Sequence, residues 1–301
     1  MTRVERLAEA DIRDVLTLAA AADDTDGAYP ISEQVVLHIR QGGAGAAHLL
    51  IRNRAGLAGY AYVDTSDEVE GASGELVVHP MRRRRGLGRA LVTAALAVAR
   101  ERDPRARLRV WAHGDHPSAA ALALDLGFVR ARVLLQMRRS LREPVPEPRL
   151  PEGVTLRPFR PGVDDESWLA VNSRAFADHP EQGRWTLEDL RLRMAEPWFD
   201  PDGFLLATDS TGRLLGFHWT KVHGGTSDRG PIGEVYVVGV DPEAHGRGLG
   251  KALTVAGLRH LRDRGLDQVM LYVDESNTAA VALYQRLGFA RWTADVHYRH
   301  G

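Results

Sequence analysis

The sequence predicts an α/β protein of two tandem domains, each a mixed central sheet flanked by helices. Three observations carry that expectation. Strand-like apolar runs alternate with amphipathic helical stretches along most of the 301 residues. The order of these elements occurs twice. Pro80 and Pro242 lie 162 residues apart, as do the loops Arg85-Gly86-Leu87-Gly88 and Arg247-Gly248-Leu249-Gly250, while Leu126-Gly127-Phe128 and Leu287-Gly288-Phe289 lie 161 apart. Between the copies, prolines at 144, 146, 148 and 151 remove backbone donors and favour extended chain, which marks a linker. The expected division is a first domain over 1–140, a linker over 141–153 and a second domain over 154–301.

In the first copy, residues 1–22 read as a short strand and a helix starting near Ala8. Residues 32–41 read as a second helix with Ser32 as its N-cap. Residues 48–52 and 57–63, joined by Asn53-Arg54-Ala55-Gly56, form a hairpin signal, and 75–80 is a further strand. The helix opened by the glycine loop keeps Leu87, Leu91, Ala94, Ala95 and Val98 on one stripe. A strand (108–112), a small-residue helix (118–126) and a last strand (132–138) follow. In the second copy the counterparts are a strand at 154–159, a helix at 164–177, a hairpin of 204–208 and 214–222, the strand 233–240, and a helix with Leu249, Leu253, Gly257 and Leu261 on one face. A strand at 269–273, another helix and a closing strand near 292–298 complete it.

Composition narrows the function. Hydrophobic content of 44% with 26% charged residues is that of a folded globular chain, and a net charge of −1 gives no field that would draw nucleic acid or an anionic membrane. The absence of cysteine excludes disulfides and thiolate metal sites and suits a reducing cytoplasm. The N-terminal stretch has no apolar signal core, and no apolar run approaches the ~18 residues of a membrane span. His113 and His116, three apart without nearby Cys or paired acids, do not make a metal site. The expectation is a cytoplasmic monomer acting on a small molecule, without nucleic acid, membrane or metal.

The chemistry concentrates at residues 233–251. A strand leads through Asp241-Pro242 into a loop with little side-chain bulk that opens a helix. Backbone N–H groups of such a loop can close on an anion at the helix N-terminus. The strand begins with a charged residue, Glu234, eight before Pro242, whereas the residue eight before Pro80 is Ala72 and Glu75 faces the opposite side. Tyr284 lies four residues before Gly288, and the residue four before Gly127 is Ala123. The loop is therefore present twice but the carboxylate and phenol only once. An anion cradle with a carboxylate on the same strand–loop–helix unit suggests a phosphate-bearing cofactor and an acid–base reaction.

A strand ending in Val-x-Pro, an (Arg/Gln)-x-x-Gly-x-Gly loop, then strand, helix and Leu-Gly-Phe resembles the GNAT superfamily of acetyl-CoA-dependent N-acyltransferases, and the resemblance covers both halves. His245 stands where the pattern has Arg or Gln. The resemblance implies acetyl-CoA as co-substrate. Its pyrophosphate would lie on the loop residues Arg84, Arg85, Gly86, Leu87, Gly88 and Arg89 of the first copy, and on His245, Gly246, Arg247, Gly248, Leu249, Gly250 and Lys251 of the second. The pantetheine arm would run along Leu76, Val77 and Val78, and in the second half along Val238, Gly239 and Val240 and along Asn277, Thr278, Ala279, Ala280, Val281 and Ala282. It also implies Glu234 as base, Tyr284 as acid and the backbone N–H near Val238 as oxyanion donor.

Residues 75–80, 111–114, 178–185, 196–203, 214–223 and 271–277 are similar to the mycothiol synthase family within that superfamily. That resemblance implies acetylation of the cysteinyl α-amine of a cysteinyl-glucosaminyl-inositol, with Glu33, Glu181, Lys221, Glu234 and Tyr272 contacting it. It also implies a first domain that binds CoA without catalysing. Two alternatives stay open: an acetyltransferase for another amine, such as an aminoglycoside or a protein N-terminus, and a non-catalytic acetyl-CoA-binding regulator.

Overall fold

A computed structural model describes residues 1–43, 45–225 and 230–301, and every side chain among them except those at 180 and 181. The chain forms two compact units. One comprises Met1–Leu135, Asp274–Ser276 and Thr293–Gly301, and the other Gln136–Val273 and Asn277–Trp292.

The first unit runs β1 (Thr2–Val4), α1 (Glu9–Asp26), α2 (Glu33–Gln41), β2 (Ala46–Asn53), β3 (Gly56–Asp64), β4 (Ala72–Val78), α3 (Leu87–Arg102), β5 (Leu108–Ala112) and α4 (Pro117–Asp125). Its strands are antiparallel neighbours from β1 to β4, and β5 pairs parallel to β4. Period-two alternation sorts the strand side chains between two layers. Leu50, Tyr60, Tyr62 and Val77 pack with Val15, Leu18 and Val35 of α1 and α2, while Leu49, Ala61 and Val63 pack with Leu91, Ala95 and Val98 of α3. Helix α2 starts where Ser32 Oγ accepts from Val35 N–H, the cap read from the sequence. Helix α1 runs four residues past the expected end at 22 and stops at Gly27, which takes a left-handed φ of 71°.

The second unit contains β7 (Thr155–Pro158), α5 (Asp165–Ala175), α6 (Pro180–Gly183), α7 (Leu187–Met194), β8 (Phe204–Thr208), β9 (Leu214–His223), β10 (Ile232–Val240), α8 (Leu249–Asp263), β11 (Gln268–Asp274, its last residue in the first unit) and α9 (Thr278–Arg286). Strands β7, β8, β9 and β10 are antiparallel neighbours, and β11 runs parallel to β10. One face carries an aromatic core of Phe159, Trp168, Phe204, Phe217 and Trp219 under α5 and α7. The other packs Ala207, Leu215 and Val240 against Leu249 and Leu253 of α8. The Pro-rich stretch lies in this unit: Leu141 and Val145 are buried, and Arg259 of α8 pairs with Glu147 at 2.8 Å.

The strand that closes each half of the sequence is divided between the units. β6 (Val129–Ser140) contributes its residues from Gln136 onward to the second unit, and β12 (Ala290–His300) contributes its residues from Thr293 onward to the first. There Val296–His300 pair antiparallel with Leu108–Ala112 of β5.

Candidate active site

The site is built on β10. This strand pairs with β9 along its whole length, from Ile232 opposite His223 to Val240 opposite Gly216. The register slips between Val235 and Val237, so Tyr236 is an extra residue that bulges from the ladder. On its other edge β10 pairs with β11 only over Gly233–Val235, against Val269–Leu271. Beyond the bulge the strand lines a cavity of about 420 Å³, together with Phe176, His179, Asn277 and the loop from Ala244 to Gly250.

The bulge corrects a comparison made by counting along the sequence. Eight residues before Pro80 is Ala72, but the ladder pairs Glu234 with Lys221 and, at the same rung of the first unit, Ser73 with Asp64. Ser73, not Ala72, is the counterpart of Glu234, because β4 has no extra residue. Glu75, two residues from Ser73 on an unbulged strand, therefore shares the face of that counterpart rather than the opposite one; it is buried, accepts from the Ser32 N–H at 2.5 Å and lies 3.9 Å from His113 Nε2, whose Nδ1 bonds Asp295 at 2.8 Å.

Side chains paired across neighbouring strands share a face. The rung through Glu234 therefore puts Lys221 of β9, Glu234 and Met270 of β11 on one side, with His223 one step toward the start of β10 and Tyr272 one step toward its end. Glu234 is only 7% exposed, and its Oε2 lies 2.6 Å from His223 Nε2. Lys221 is buried, its Nζ 4.5 Å from the Trp198 ring centre and 5.0 Å from that of Tyr236, a cation–π arrangement. Tyr236 accepts from Arg193 Nε at 2.9 Å, and the Arg193 guanidinium stacks 3.7 Å from the Trp185 ring. The Tyr272 hydroxyl accepts from Gln136 Nε2 at 2.6 Å. Three expected substrate residues, Lys221, Glu234 and Tyr272, thus stand together. Glu33 is the first residue of α2 in the first unit. Glu181 lies in α6, and its side chain is outside the described residues.

The loop has the backbone geometry of an anion cradle. Gly246 and Gly248 take left-handed φ values of 75° and 76°, with no atom within 4 Å of where a Cβ would stand. Gly248 caps α8, so the N–H groups of Leu249, Gly250 and Lys251 have no acceptor one turn back. His245 is used structurally: its Nε2 bonds the Val240 carbonyl at 3.1 Å. In the first unit Arg83 does the same with the Val78 carbonyl at 3.2 Å and pairs with Asp26. Arg84 holds the left-handed φ of 60° that Gly246 holds in the other loop, and Arg89 is paired with Asp125. Asp241, fully buried, anchors the launch of the second loop. Burial alone would raise its carboxyl, but Arg174 at 2.6 Å and the Glu243 N–H hold it below the usual range.

Tyr284 sits in α9, edge-on to Phe289 with ring centres 5.8 Å apart, and burial pushes its phenol up to about 12. Asn277 caps the same helix, accepting from Ala280 N–H at 3.1 Å. Residues 278–282 form its first turns. His223 was not singled out by the sequence: it lies 11 residues from Glu234 across the β9–β10 connection, and no motif links the two.

No group of three or more potential metal ligands occurs among the described residues, and no helix among them is long and apolar enough to cross a membrane. The profile described as the Acetyltransferase (GNAT) family matches residues 15–128 and 167–289. A protein named mycothiol acetyltransferase from Salinispora arenicola is 64% identical, covering 99% of this chain and 96% of that protein. One of the same name from Thermobispora bispora is 60% identical over 99% of each chain. Among solved structures, a GCN5-related N-acetyltransferase from Sphaerobacter thermophilus aligns with a TM-score of 0.71 and 28% identity over 99% of this chain and 95% of that one. A tandem GNAT protein of the clavulanic acid pathway aligns with a TM-score of 0.76 over 99% and 97%, and at 22% identity shares the fold. With the family pattern present in both halves and relatives this similar over their whole length, the chain belongs to the GNAT family of acetyltransferases.

Proposed function

We propose that the protein transfers the acetyl group of acetyl-CoA to the α-amine of a cysteinyl-glucosaminyl-inositol, the reaction of a mycothiol acetyltransferase. The observation that carries the reading is Glu234: a buried carboxylate on the face it shares with Lys221, His223 and Tyr272, one residue before β10 parts from β11. Relatives named mycothiol acetyltransferase, 60–64% identical along nearly the full chain, support the acceptor.

Bound acetyl-CoA supplies the thioester carbon that the amine attacks. The residues present suit it. The open glycines and free N–H groups at the start of α8 would hold its phosphates, and Val238–Val240 and Asn277–Ala282 would flank its arm. Glu234 takes the proton from the ammonium group, whose unperturbed pKa is about 8, and so frees the lone pair. The backbone N–H near Val238 donates to the developing oxyanion. Tyr284, a phenol protonated at neutral pH and raised further by burial, donates to the departing thiolate. Lys221 and Tyr272 bind the polyhydroxylated acceptor, which needs convergent polar groups. The first unit keeps a cradle but has Ser73 and Ala123 where the second has Glu234 and Tyr284, and we read it as CoA-binding without catalysis. The same reading has the chain act as a monomer in the cytoplasm.

The test incubates purified protein with acetyl-CoA and the cysteinyl acceptor and follows the acetylated product by mass spectrometry. The product should keep a titratable thiol, since the amine is acetylated. No acceptor-dependent product would overturn the reading.

A further inference from the structure

We propose that His223 is a positioning residue for Glu234 in the reaction read above, and that the inference rests on that reading. At 2.6 Å, His223 Nε2 and Glu234 Oε2 share a proton, and because an ionised carboxylate only accepts, Nε2–H is the donor. That bond occupies Oε2 and turns Oε1 toward the incoming amine. The proton leaves the ammonium nitrogen for Oε1, the N–H electrons remain as the attacking lone pair, and the proton later passes to solvent.

The surroundings explain why a second residue is needed. Lys221 faces Glu234 across the ladder, but its ammonium sits over Trp198 and Tyr236. Rotation of the carboxylate within its 7% exposed site would decide which oxygen meets the amine. His223 sits one step outward on the same face, with its side chain 34% exposed against 9% for that of Glu234. The ring is therefore the more open of the two to solvent. Other charged or titratable groups on this face are Lys221 of β9, Tyr236 of β10 and Tyr272 of β11, with Arg193 of α7 bonded to Tyr236.

The experiment compares His223→Leu with His223→Gln, whose amide N–H replaces the Nε2–H donor. His223→Leu should lower kcat by about 10- to 100-fold, the rate equivalent of one hydrogen bond to a charged group, with little change in KM for acetyl-CoA. His223→Gln should restore most of kcat. A wild-type kcat in His223→Leu would overturn the proposal. So would His223→Gln falling as far as His223→Leu while both still bind acetyl-CoA by calorimetry. Glu234→Gln separates the two ideas. If it keeps full activity, the reading of Glu234 as base fails. If it is inactive while His223→Leu is normal, only the role of His223 fails.

Discussion

Gly257→Ala tests how α8, and with it the cradle, is held against the sheet. Gly257 lies mid-helix, where alanine ordinarily stabilises by about 1 kcal/mol. Here a Cβ would fall within van der Waals reach of His218 Cε1 and Nδ1, and 2.8 Å from Nε2. The His218 ring cannot give way: it is fully buried, and its Nδ1 bonds the Leu253 carbonyl at 2.8 Å. Overpacking costs about 1–3 kcal/mol, and a broken buried hydrogen bond adds roughly 1–3. After subtracting the helix gain, about 3 kcal/mol of destabilisation remains. For a unit of this size that lowers Tm by roughly 6–12 °C. Calorimetric unfolding reads it, and KM for acetyl-CoA should rise because α8 carries Gly248–Lys251 at its start. His218→Ala in the same chain should recover part of the loss. Gly257→Ala matching or exceeding wild-type Tm would refute the close approach as the reason for glycine.

Two further outcomes follow from the structure. Tyr284→Phe removes the buried phenol that burial pushes up to about 12. It should cut kcat by on the order of 10²-fold, as loss of an acid–base group does, with KM for acetyl-CoA nearly unchanged; a wild-type kcat in steady-state assays would remove the acid role. In the first unit, burial would lower His113, but Asp295 and Glu75 raise it, to about 10. A raised folded pKa gives stability that is complete below the unfolded value near 6.5 and is lost as pH rises through about 10. His113→Gln should therefore be less stable than wild type at pH 6, with the gap closing by pH 10 in denaturant titrations. A gap independent of pH would contradict the charged pair.

Much of both units was legible because the signals are local. The cap at Ser32, the hairpin turns, the helix of 164–177 seen as Asp165–Ala175, and the glycine loop opening α8 each rest on neighbouring residues. Helix α7 also carried a local signal that went unused: Thr186 and Asp189 form a reciprocal capping box. What stayed hidden depends on pairing between distant strands. The bulge at Tyr236 shifts the counterpart of Glu234 from Ala72 to Ser73, and a one-residue slip has no compositional mark. The contact of His223 with Glu234 comes from register. Asp295 reaches His113 from 182 residues away, because the end of β12 pairs with β5. The expected cradle residue His245 turned out to bond its own strand, which only side-chain geometry reveals.

The measurement closest to the central claim is the pH dependence of kcat/KM for the acceptor in Glu234→Gln. The amine has an unperturbed pKa of about 8, so at pH 6.5 nearly all of it carries the proton that the buried carboxylate is read to remove. The variant should fall by about 10²- to 10⁴-fold there and climb toward wild type as pH passes 9, where free amine is abundant, with acetyl-CoA binding intact throughout. A rate at pH 6.5 equal to wild type, or a loss that stays constant from pH 6.5 to 9.5, would contradict Glu234 as the base.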